Sequence, residues 1–332
     1  MPSTVTTQMI AELAGVSQST VSKALAGGYS LRPKTRQRIL EIARRLNYHP
    51  SGAARALVSG RNECIGVSYM HGRVPSDLFN QILEGVHEVF FACGYTTTTL
   101  MAEGETAVPR LVRDRLVDGL VIGFERDREL ESFAASVGMP CVLVNAPPTE
   151  ELDCVTTDNV GGVAAAVAHL AELGHRRIAY VSTWSHDPVS RLVCQDRARG
   201  YLQAMASQQL PACPVASPGT PVMDSLGSLL ALPQRPTALV CFNDEIAMMT
   251  IKALFQRSLH VPRDVSVVGI DNLFASEYMI PSLSTLEIPW RQMGVAGAEL
   301  LWQRLQEPHR PRQHKVLSPR LIIRESVASP PA

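Results

Sequence analysis

The sequence predicts an α/β protein in which a small all-helical head precedes a much larger body built from two lobes of sheet and helix. Three observations predict this class. Short apolar runs alternate with amphipathic stretches through most of the 332 residues. The first sixty residues show only helical spacing, and this helical segment has a net positive charge. Hydrophobic residues make up 45% of the chain and charged residues 19%, which is typical of a globular protein.

The net charge of the chain is zero, but its basic and acidic residues are unevenly distributed. Residues 1–61 contain nine lysine or arginine residues and two acidic residues, a net charge of +7, so the remaining 271 residues carry −7. A basic head on an acidic body predicts that the head alone binds a polyanion.

Apolar spacing in the head predicts three short helices. Thr7 or its neighbour can cap a first helix whose buried face includes Leu13, and Gly15 supplies the positive φ that ends this helix. Ser17 can cap a second helix, and a third follows Pro33. Two helices joined by a tight glycine turn form a helix-turn-helix, although a generic helical hairpin with a solvated polar face has the same spacing.

The second predicted helix keeps uncharged polar residues and one lysine on its open side. These are Gln18, Ser19, Ser22 and Lys23. Glutamine pairs with adenine and lysine with guanine in the major groove, whereas serine is less selective. Together with the +7 charge, this face favours double-stranded DNA as the partner of the head.

The body repeats a strand–helix rhythm twice. Strands are predicted at 64–70, 95–101, 119–124, 140–146, 177–183, 237–242 and 265–270. Helices are predicted at 79–92, 107–116, 128–137, 160–173, 196–207 and 245–257. Such alternation predicts two Rossmann-like lobes with parallel sheets and a cleft between them. Neither GxGxxG after a strand nor GxxxxGK[ST] is present, so a nucleotide-phosphate site of either kind is not supported.

The head resembles the DNA-binding headpiece of the lactose-repressor (LacI/GalR) family of bacterial transcription regulators. The resemblance rests on IAELAGVSQSTVSKALAGG followed by RPKTRQRILEIARRLNYHPSGAARAL. It implies a hinge helix at 51–58 that enters the minor groove, with Leu57 as a wedge beside Ala54. It implies base contacts from Gln18, Ser19 and Lys23. It implies contacts with the DNA backbone, or positioning against it, from Ser17, Thr20, Ser22, Lys34 and Arg36.

The body resembles the same family, whose effector domain is similar to a periplasmic sugar-binding protein. The matching stretches are RDRLVDGLVI, LAELGHRRIAYV, RARGYLQAM, VPRDVSVVGIDN and PSLSTLEIP. The predicted organisation is a headpiece at 1–50, a hinge and linker at 51–61, and an effector-binding and dimerisation domain at 62–332. Lobe one is expected at about 62–160 and 289–315, and lobe two at about 161–288 and 316–326.

Six residues are predicted to line an effector cleft because of where they fall relative to strands and helices. They are Phe79, Asn145, Trp184, Arg197, Asn243 and Asp271. A carboxylate, amides and a guanidinium beside an aromatic wall can hold a polyol through paired hydrogen bonds. Asp271 and Asn243 can equally cap turns, Arg197 can lie at a solvated helix end, Phe79 can belong to the core, and Trp184 can have a surface role.

The predicted function is therefore a sequence-specific DNA-binding regulator, a repressor controlled by a small-molecule effector that is a sugar or sugar derivative. A regulator that responds to a non-sugar metabolite such as a purine is the alternative. An enzyme on Rossmann-like lobes would leave the basic head unexplained, and a transport binding protein is opposed by the helix-turn-helix.

Further expectations concern assembly and surroundings. A helix-turn-helix that reads two half-sites predicts a homodimer, with Ile82, Val86, Val89 and the apolar segment 278–280 on the pairing side. Seven scattered cysteines without CxxC spacing predict reduced thiols and no metal. No cofactor is expected. Without an 18-residue apolar run or a recognisable secretory signal, the expected location is the cytoplasm and not a membrane.

Overall fold

The computed structural model describes residues 5–25, 31–48, 56, 60–69, 76–100, 108–124, 126–182, 188–215 and 221–331. The chain divides into two compact units, Met1–Glu63 and Cys64–Ala332. None of the helices within the described ranges is both long and apolar enough to cross a bilayer.

Among its described residues, the first unit contains the helices α1 (Thr7–Ala14), α2 (Gln18–Leu25) and α3 (Pro33–Arg45). Thr6 caps α1, since its hydroxyl accepts a hydrogen bond from the backbone of Met9, and Gly15 ends that helix in the left-handed conformation at φ 65°. The expectation that Leu13 lies on the buried face is wrong. Leu13 is 47% exposed, and the neighbouring Ala11 is buried instead.

The first sheet of the second unit has six parallel strands. They are β1 (Cys64–Tyr69), β2 (Thr96–Leu100), β3 (Gly119–Gly123), β4 (Cys141–Val144), β5 (Asp153–Thr157) and β10 (His314–Leu317), in the spatial order β10-β5-β4-β3-β1-β2. Its helices are α4 (Ser76–Ala92), α5 (Arg110–Arg113), α6 (Arg128–Ser136) and α12 (Trp290–Gln306). Both β3 and β4 are buried along their whole length, as expected of central parallel strands.

Two glycines allow α4 and α12 to pack closely against each other. A Cβ at Gly85 would lie 2.1 Å from the carbonyl oxygen of Arg291, and a Cβ at Gly294 would lie 2.2 Å from that of Ile82. Ile82 and Val86 are completely buried in the resulting core, so they are not available to pair subunits as the sequence suggested.

The second sheet has five strands in the order β11-β9-β8-β7-β6. They are β6 (Ile178–Val181), β7 (Ala238–Cys241), β8 (Ser266–Ile270), β9 (Ser284–Glu287) and β11 (Arg320–Ile322), and β11 alone runs antiparallel to its neighbour. Its helices are α7 (Asn159–Glu172), α8 (Pro188–Ser207), α9 (Val222–Leu230), α10 (Asp244–Phe255) and α11 (Phe274–Tyr278).

The chain passes between the two sheets three times. The first passage follows β5 at Asp158, the second lies at Ile288 and Pro289, and the third lies at 318–319 between β10 and β11. The expected boundary between 315 and 316 falls inside β10, which pairs with β5 of the first sheet. The third passage therefore comes after Leu317, because the last strand of the first sheet needs those residues for its ladder.

Candidate functional site

The predicted DNA-reading face is the open side of α2. Gln18, Ser19 and Lys23 are exposed there, and Ser22 is half-buried. Val21 and Ala24 lie on the other side of α2 and are buried in the core of the head. An eight-residue helix with a thin apolar side and a polar open side can enter a groove without uncovering that core.

Side-chain hydrogen bonds at the start of α2 orient the reading face. The hydroxyl of Ser17 accepts from the backbone N–H of Thr20 at 3.3 Å and lies 2.9 Å from that of Ser19 and 2.8 Å from that of Thr20. Nε2 of Gln18 donates to Oγ1 of Thr7 at 2.7 Å. This role of Thr7 could not be predicted from the sequence, because Thr7 and Gln18 are eleven residues apart and come into contact only when α1 and α2 fold together.

The basic residues of α3 lie on its solvent side. Lys34 and Arg36 are exposed, and Arg38 donates to the carbonyl of Leu13 at 3.4 Å. The predicted hinge residues Ala54 and Leu57 lie outside the described residues, as does Trp184 of the predicted effector cleft.

In the second unit, Arg197 of α8 is the centre of a buried polar cluster. Its Nε donates to Oδ1 of Asn159 at 2.9 Å, its Nη1 donates to the carbonyl of Phe242, and its Nη2 lies 3.6 Å from Oδ1 of Asp271. The guanidinium carbon lies 4.7 Å from the centre of the Phe242 ring. Arg197 is 4% exposed, so the solvated helix end considered from the sequence is excluded.

Asp271 follows β8 at the carboxyl end of the second sheet. It is 7% exposed and has a φ of 116°, a conformation that strains any residue other than glycine. Its backbone N–H donates to the carbonyl of Leu286 at 2.8 Å, which helps to fix this turn. Burial raises the pKa of the Asp271 carboxyl to about 7, against the opposing effect of the nearby Arg197 charge.

Asn243 and Asp244 begin α10 beside this cluster. Oδ1 of Asn243 accepts from the backbone of Ile246 at 2.9 Å, so Asn243 caps this helix, which is the alternative role that the sequence allowed for it. Asp244 is fully buried and accepts hydrogen bonds from the backbone of Leu273 and the hydroxyls of Ser276 and Thr285. Burial raises the pKa of Asp244, although these hydrogen bonds oppose the shift.

The two first-lobe candidates occupy different surroundings. Phe79 lies in α4 and is 4% exposed within the hydrophobic core. Asn145 directly follows β4, is half-buried, and has a φ of 53°. Parallel strands bring their carboxyl ends to one edge of a sheet, so Asn145 lies at that edge of the first sheet, as Asn243 and Asp271 do at that of the second.

Two asparagines that the sequence analysis missed connect the buried cluster to the passages between the sheets. Asn159, which holds Arg197, begins α7 directly after the first passage. Asn272 donates to Oε1 of Glu287 at 3.0 Å, just before the second passage. Glu287 also pairs with Arg320 at 2.8 Å, just after the third passage. Both asparagines are turn residues by sequence, and only their partners indicate a further role.

The described residues contain no group of three or more histidine, cysteine, aspartate or glutamate side chains that suits a metal ion. Cys141 and Cys241 are buried, and burial raises the pKa of each thiol to about 12. Thiols with so high a pKa are poor nucleophiles.

Known families and proteins match the chain along nearly its whole length. Residues 6–51 match the family described as bacterial regulatory proteins, lacI family, and residues 167–327 match a periplasmic binding protein-like domain. The HTH-type transcriptional repressor PurR of Photobacterium profundum is 30% identical, with 96% of this chain and 97% of that protein covered. PurR of Aliivibrio salmonicida is 28% identical, with the same coverage.

Solved structures match as well. The transcriptional regulator CelR in complex with cellobiose is 26% identical, with a TM-score of 0.65 and coverage of 97% of this chain and 99% of CelR. A LacI family regulator from Enterococcus faecium with bound ribose is 25% identical, with a TM-score of 0.66 and coverage of 80% and 99%. The lac repressor dimer bound to operator and the anti-inducer ONPF has a TM-score of 0.77 and coverage of 98% and 99%; at 24% identity it shows the fold alone.

The lacI-family match covers the helix-turn-helix described above, and the relative from Photobacterium profundum extends the similarity over both units of the chain. Such a regulator requires an exposed polar face like that of α2 and a two-sheet unit like Cys64–Ala332, which is called the effector unit below. The chain belongs to the lacI family of bacterial regulatory proteins and is a DNA-binding transcriptional regulator.

Proposed function

We propose that the protein is an effector-controlled repressor that binds its operator as a homodimer. One observation carries this proposal: the chain combines an exposed polar reading helix with a separate unit in which an arginine and a carboxylate are buried together at the carboxyl ends of parallel strands. A helix-turn-helix alone would bind DNA without control by an effector. A buried charged cluster at the ligand-binding edge of an α/β sheet supports control by a small-molecule effector.

Operator recognition is assigned to Gln18, Ser19 and Lys23, with Ser17, Thr20, Ser22, Lys34 and Arg36 positioning α2 on the phosphates. The exposure of the first three residues supports this assignment, as does the charge of +7 in 1–61. The bond from Gln18 to Thr7 holds the amide of Gln18 at the edge of α2, where it can meet a base with less loss of rotamer freedom.

The effector is assigned to Arg197 and Asp271, with Asn243 next to them and with Asn145 on the first lobe. Phe79 is left out of this assignment because it is buried in the hydrophobic core. The strained backbone at Asp271 supports a binding role, because strain of this kind persists where function requires it. Its carboxylate can accept hydrogen bonds from N–H or O–H groups of a neutral ligand, and Arg197 can donate to an acceptor beside them.

Two classes of effector fit such donors and acceptors. The relatives that match over the whole length are named PurR, which favours a purine over the sugar expected from the sequence. The structural neighbours with bound cellobiose and ribose keep a sugar as the second candidate. Both classes present several polar groups on a small ring, which is the chemistry that the Arg197 cluster suits.

Control of DNA binding is assigned to a change in the relation of the two lobes. Arg197 is bonded to Asn159 at the first passage, and Asn272, next to Asp271, is bonded to Glu287 at the second. A ligand that shifts Arg197 or Asp271 would therefore also shift the first and second passages between the sheets. We expect the two lobes to rotate about these passages. Such coupling provides the difference in affinity between two arrangements that allostery needs.

Pairing of two subunits is supported by apolar side chains that the second lobe leaves in solvent. Phe255 is 70% exposed and Ile280 is 94% exposed, and the rings of Phe274 and Tyr278 contact each other at 4.8 Å while both remain exposed. The exposed pair Phe274 and Tyr278, with the exposed Ile280 two residues further along the chain, is the kind of apolar surface that interfaces cover. A symmetric dimer would place two reading helices on two half-sites.

A footprinting titration tests the whole proposal. The promoter fragment next to the gene would be protected by the purified protein, and the titration would be repeated with purine bases and then with sugars. We expect a two-fold symmetric footprint whose midpoint concentration shifts with members of one class only. An asymmetric, salt-insensitive footprint, or one that neither class shifts, would contradict the proposal.

A further inference from the structure

The first lobe contains a cavity whose walls carry four arginines. It has a volume of about 440 Å³ and lies between α6 and the segment that follows α12. The arginines are Arg126, Arg128, Arg304 and Arg312, and two acidic residues, Glu131 and Glu151, share the lining. The cavity is separate from the Arg197 cluster, because that cluster belongs to the second sheet.

Two of these arginines form the frame of the cavity. Arg304 is bound to Asp153 through Nε at 3.0 Å and Nη2 at 3.2 Å, and it donates to the carbonyls of Pro308 at 3.0 Å and Pro311 at 3.2 Å. The carboxylate of Asp153 also accepts from the backbone of Gln313 at 2.8 Å. The backbone is thus held on both sides of position 312, which fixes the wall from which Arg312 projects.

The part of the lining around Arg128 is fixed in a similar way. Asp127 caps α6 by accepting from the backbone of Leu130 at 2.9 Å, and Nε of Arg126 contacts both carboxylate oxygens of Glu131 at 2.7 and 2.8 Å. Arg128 lies between these two anchors as the first residue of α6. The helix dipole favours acidic side chains at this end, so a positive charge at 128 gains nothing from its own helix.

Arg128 and Arg312 are the unneutralised charges of the cavity. Both are exposed, and neither forms an ion pair with an acidic residue in the described part of the chain. Two guanidinium groups that project from fixed walls into one cavity form a site for an anion with several oxygens, because the planar fork of each matches phosphate geometry.

The volume of the cavity limits the size of the anion that can bind. Sites for small organic ligands span roughly 300–1,000 Å³, so the cavity can hold more than an isolated phosphate ion. Ser132 and Glu151 also line it and offer a donor and an acceptor for hydroxyl groups. We propose that this cavity binds a phosphorylated small metabolite, with its phosphoryl group between Arg128 and Arg312. The proposal does not depend on the effector assignment above.

The test measures binding to the full chain by calorimetry at constant ionic strength. The probes are pyrophosphate, adenosine 5′-monophosphate and glucose 6-phosphate, with adenosine and glucose as unphosphorylated controls. We expect saturable binding of phosphorylated probes only, and the tighter of the two monophosphates identifies the organic part. Arg128→Gln and Arg312→Gln should each weaken binding by about tenfold, because each removes a charge-assisted hydrogen bond.

The matched control is Arg110→Gln, which removes an exposed arginine from the first residue of another helix of the same lobe. This variant should bind within about twofold of the parent. Absence of saturable binding at millimolar probe concentrations would overturn the proposal. Equal affinities for the parent and both cavity variants would also overturn it, since the anion would then lie elsewhere.

Discussion

The reading helix of the head and the Arg197 cluster of the effector unit hold their polar groups in opposite ways. Gln18 and Lys23 project into solvent from an eight-residue helix, and the head beneath them buries only small side chains and a few aliphatic ones. Arg197 and Asp271 are buried and surrounded by partners. We therefore expect substitutions of the exposed residues to change DNA binding with little effect on stability, and substitutions of the buried residues to change both effector binding and stability.

Removal of Arg197 should produce the largest effect that this comparison predicts. Arg197→Ala leaves the Asp271 carboxylate and the carbonyl of Phe242 without their partner in a buried site. We expect the free energy of unfolding of the effector unit to fall by about 3–5 kcal/mol, as is typical when one member of a buried pair is lost. Urea denaturation followed by circular dichroism would measure this change.

Arg199→Ala on the same helix is the matched control. Its ion pair with Asp196 is exposed, so the expected loss is within about 0–1 kcal/mol. Equal losses for the two variants would mean that burial does not distinguish Arg197, and the contrast between the two regions would fail.

The positions of the apolar strands could be predicted from the sequence. The runs at β3, β4, β7 and β8 were all predicted, because central parallel strands are nearly uniform in Val, Ile and Leu. Among the strands that were missed are β5, β9 and the edge strand β10. β5 reads DCVTT and β9 reads STLE, and both are buried although polar residues make up much of each.

The helix α12 was missed for a related reason. It is buried on several sides, with Arg304 and two glycines among its buried residues, so no polar face marks its period. In the candidate site, Gln18 and Lys23 could be proposed because exposure follows from helical spacing alone. The roles of Asn159 and Asn272 depend on partners 38 and 15 residues away, which no local pattern contains.

Protonation of Asp271 should make the stability of the effector unit depend on pH. The folded pKa is raised to about 7 from an ordinary 3.8, so the folded chain binds more protons than the unfolded chain between those values. The stability that protonated Asp271 supports is complete below the unfolded pKa and is lost as the pH rises through 7.

Asp271→Asn tests this point, because asparagine does not titrate. We expect the unfolding free energy of the parent, relative to the variant, to decrease by roughly 2–3 kcal/mol between about pH 5 and about pH 8. Urea titrations of both proteins at each pH would measure the difference. Parallel pH profiles would show that Asp271 titrates normally in spite of its burial.

Substitutions on the reading face should change binding alone. Gln18→Ala and Lys23→Ala should each cost about 1–3 kcal/mol of operator affinity and alter the preferred base at one position. Their unfolding free energies should stay within about 0.5 kcal/mol of the parent, because neither side chain is buried. Fluorescence anisotropy with the footprinted fragment and its single-base variants would measure both affinity and preference.

Arg36→Ala supplies the control for these variants. An exposed arginine on α3 that contacts phosphate should weaken all fragments alike and reduce the dependence of affinity on salt. If Lys23→Ala also weakened every fragment equally, Lys23 would act on the backbone and its assignment to a base would be wrong.

The smallest expected effect concerns how the head is stabilised beneath its reading face. Thr6 caps α1 through one hydrogen bond to Met9, and the head has few large buried side chains to compensate for its loss. Thr6→Ala should lower the stability of the head by about 1 kcal/mol. Thr7→Ala should instead leave stability nearly unchanged and weaken operator binding, because Thr7 holds Gln18 and does not cap the helix. Hydrogen exchange of the α1 amides, measured together with operator affinity, separates the two roles. Reduced protection of α1 in both variants, with unchanged operator affinity, would show that Thr7 stabilises the helix and does not orient the reading face.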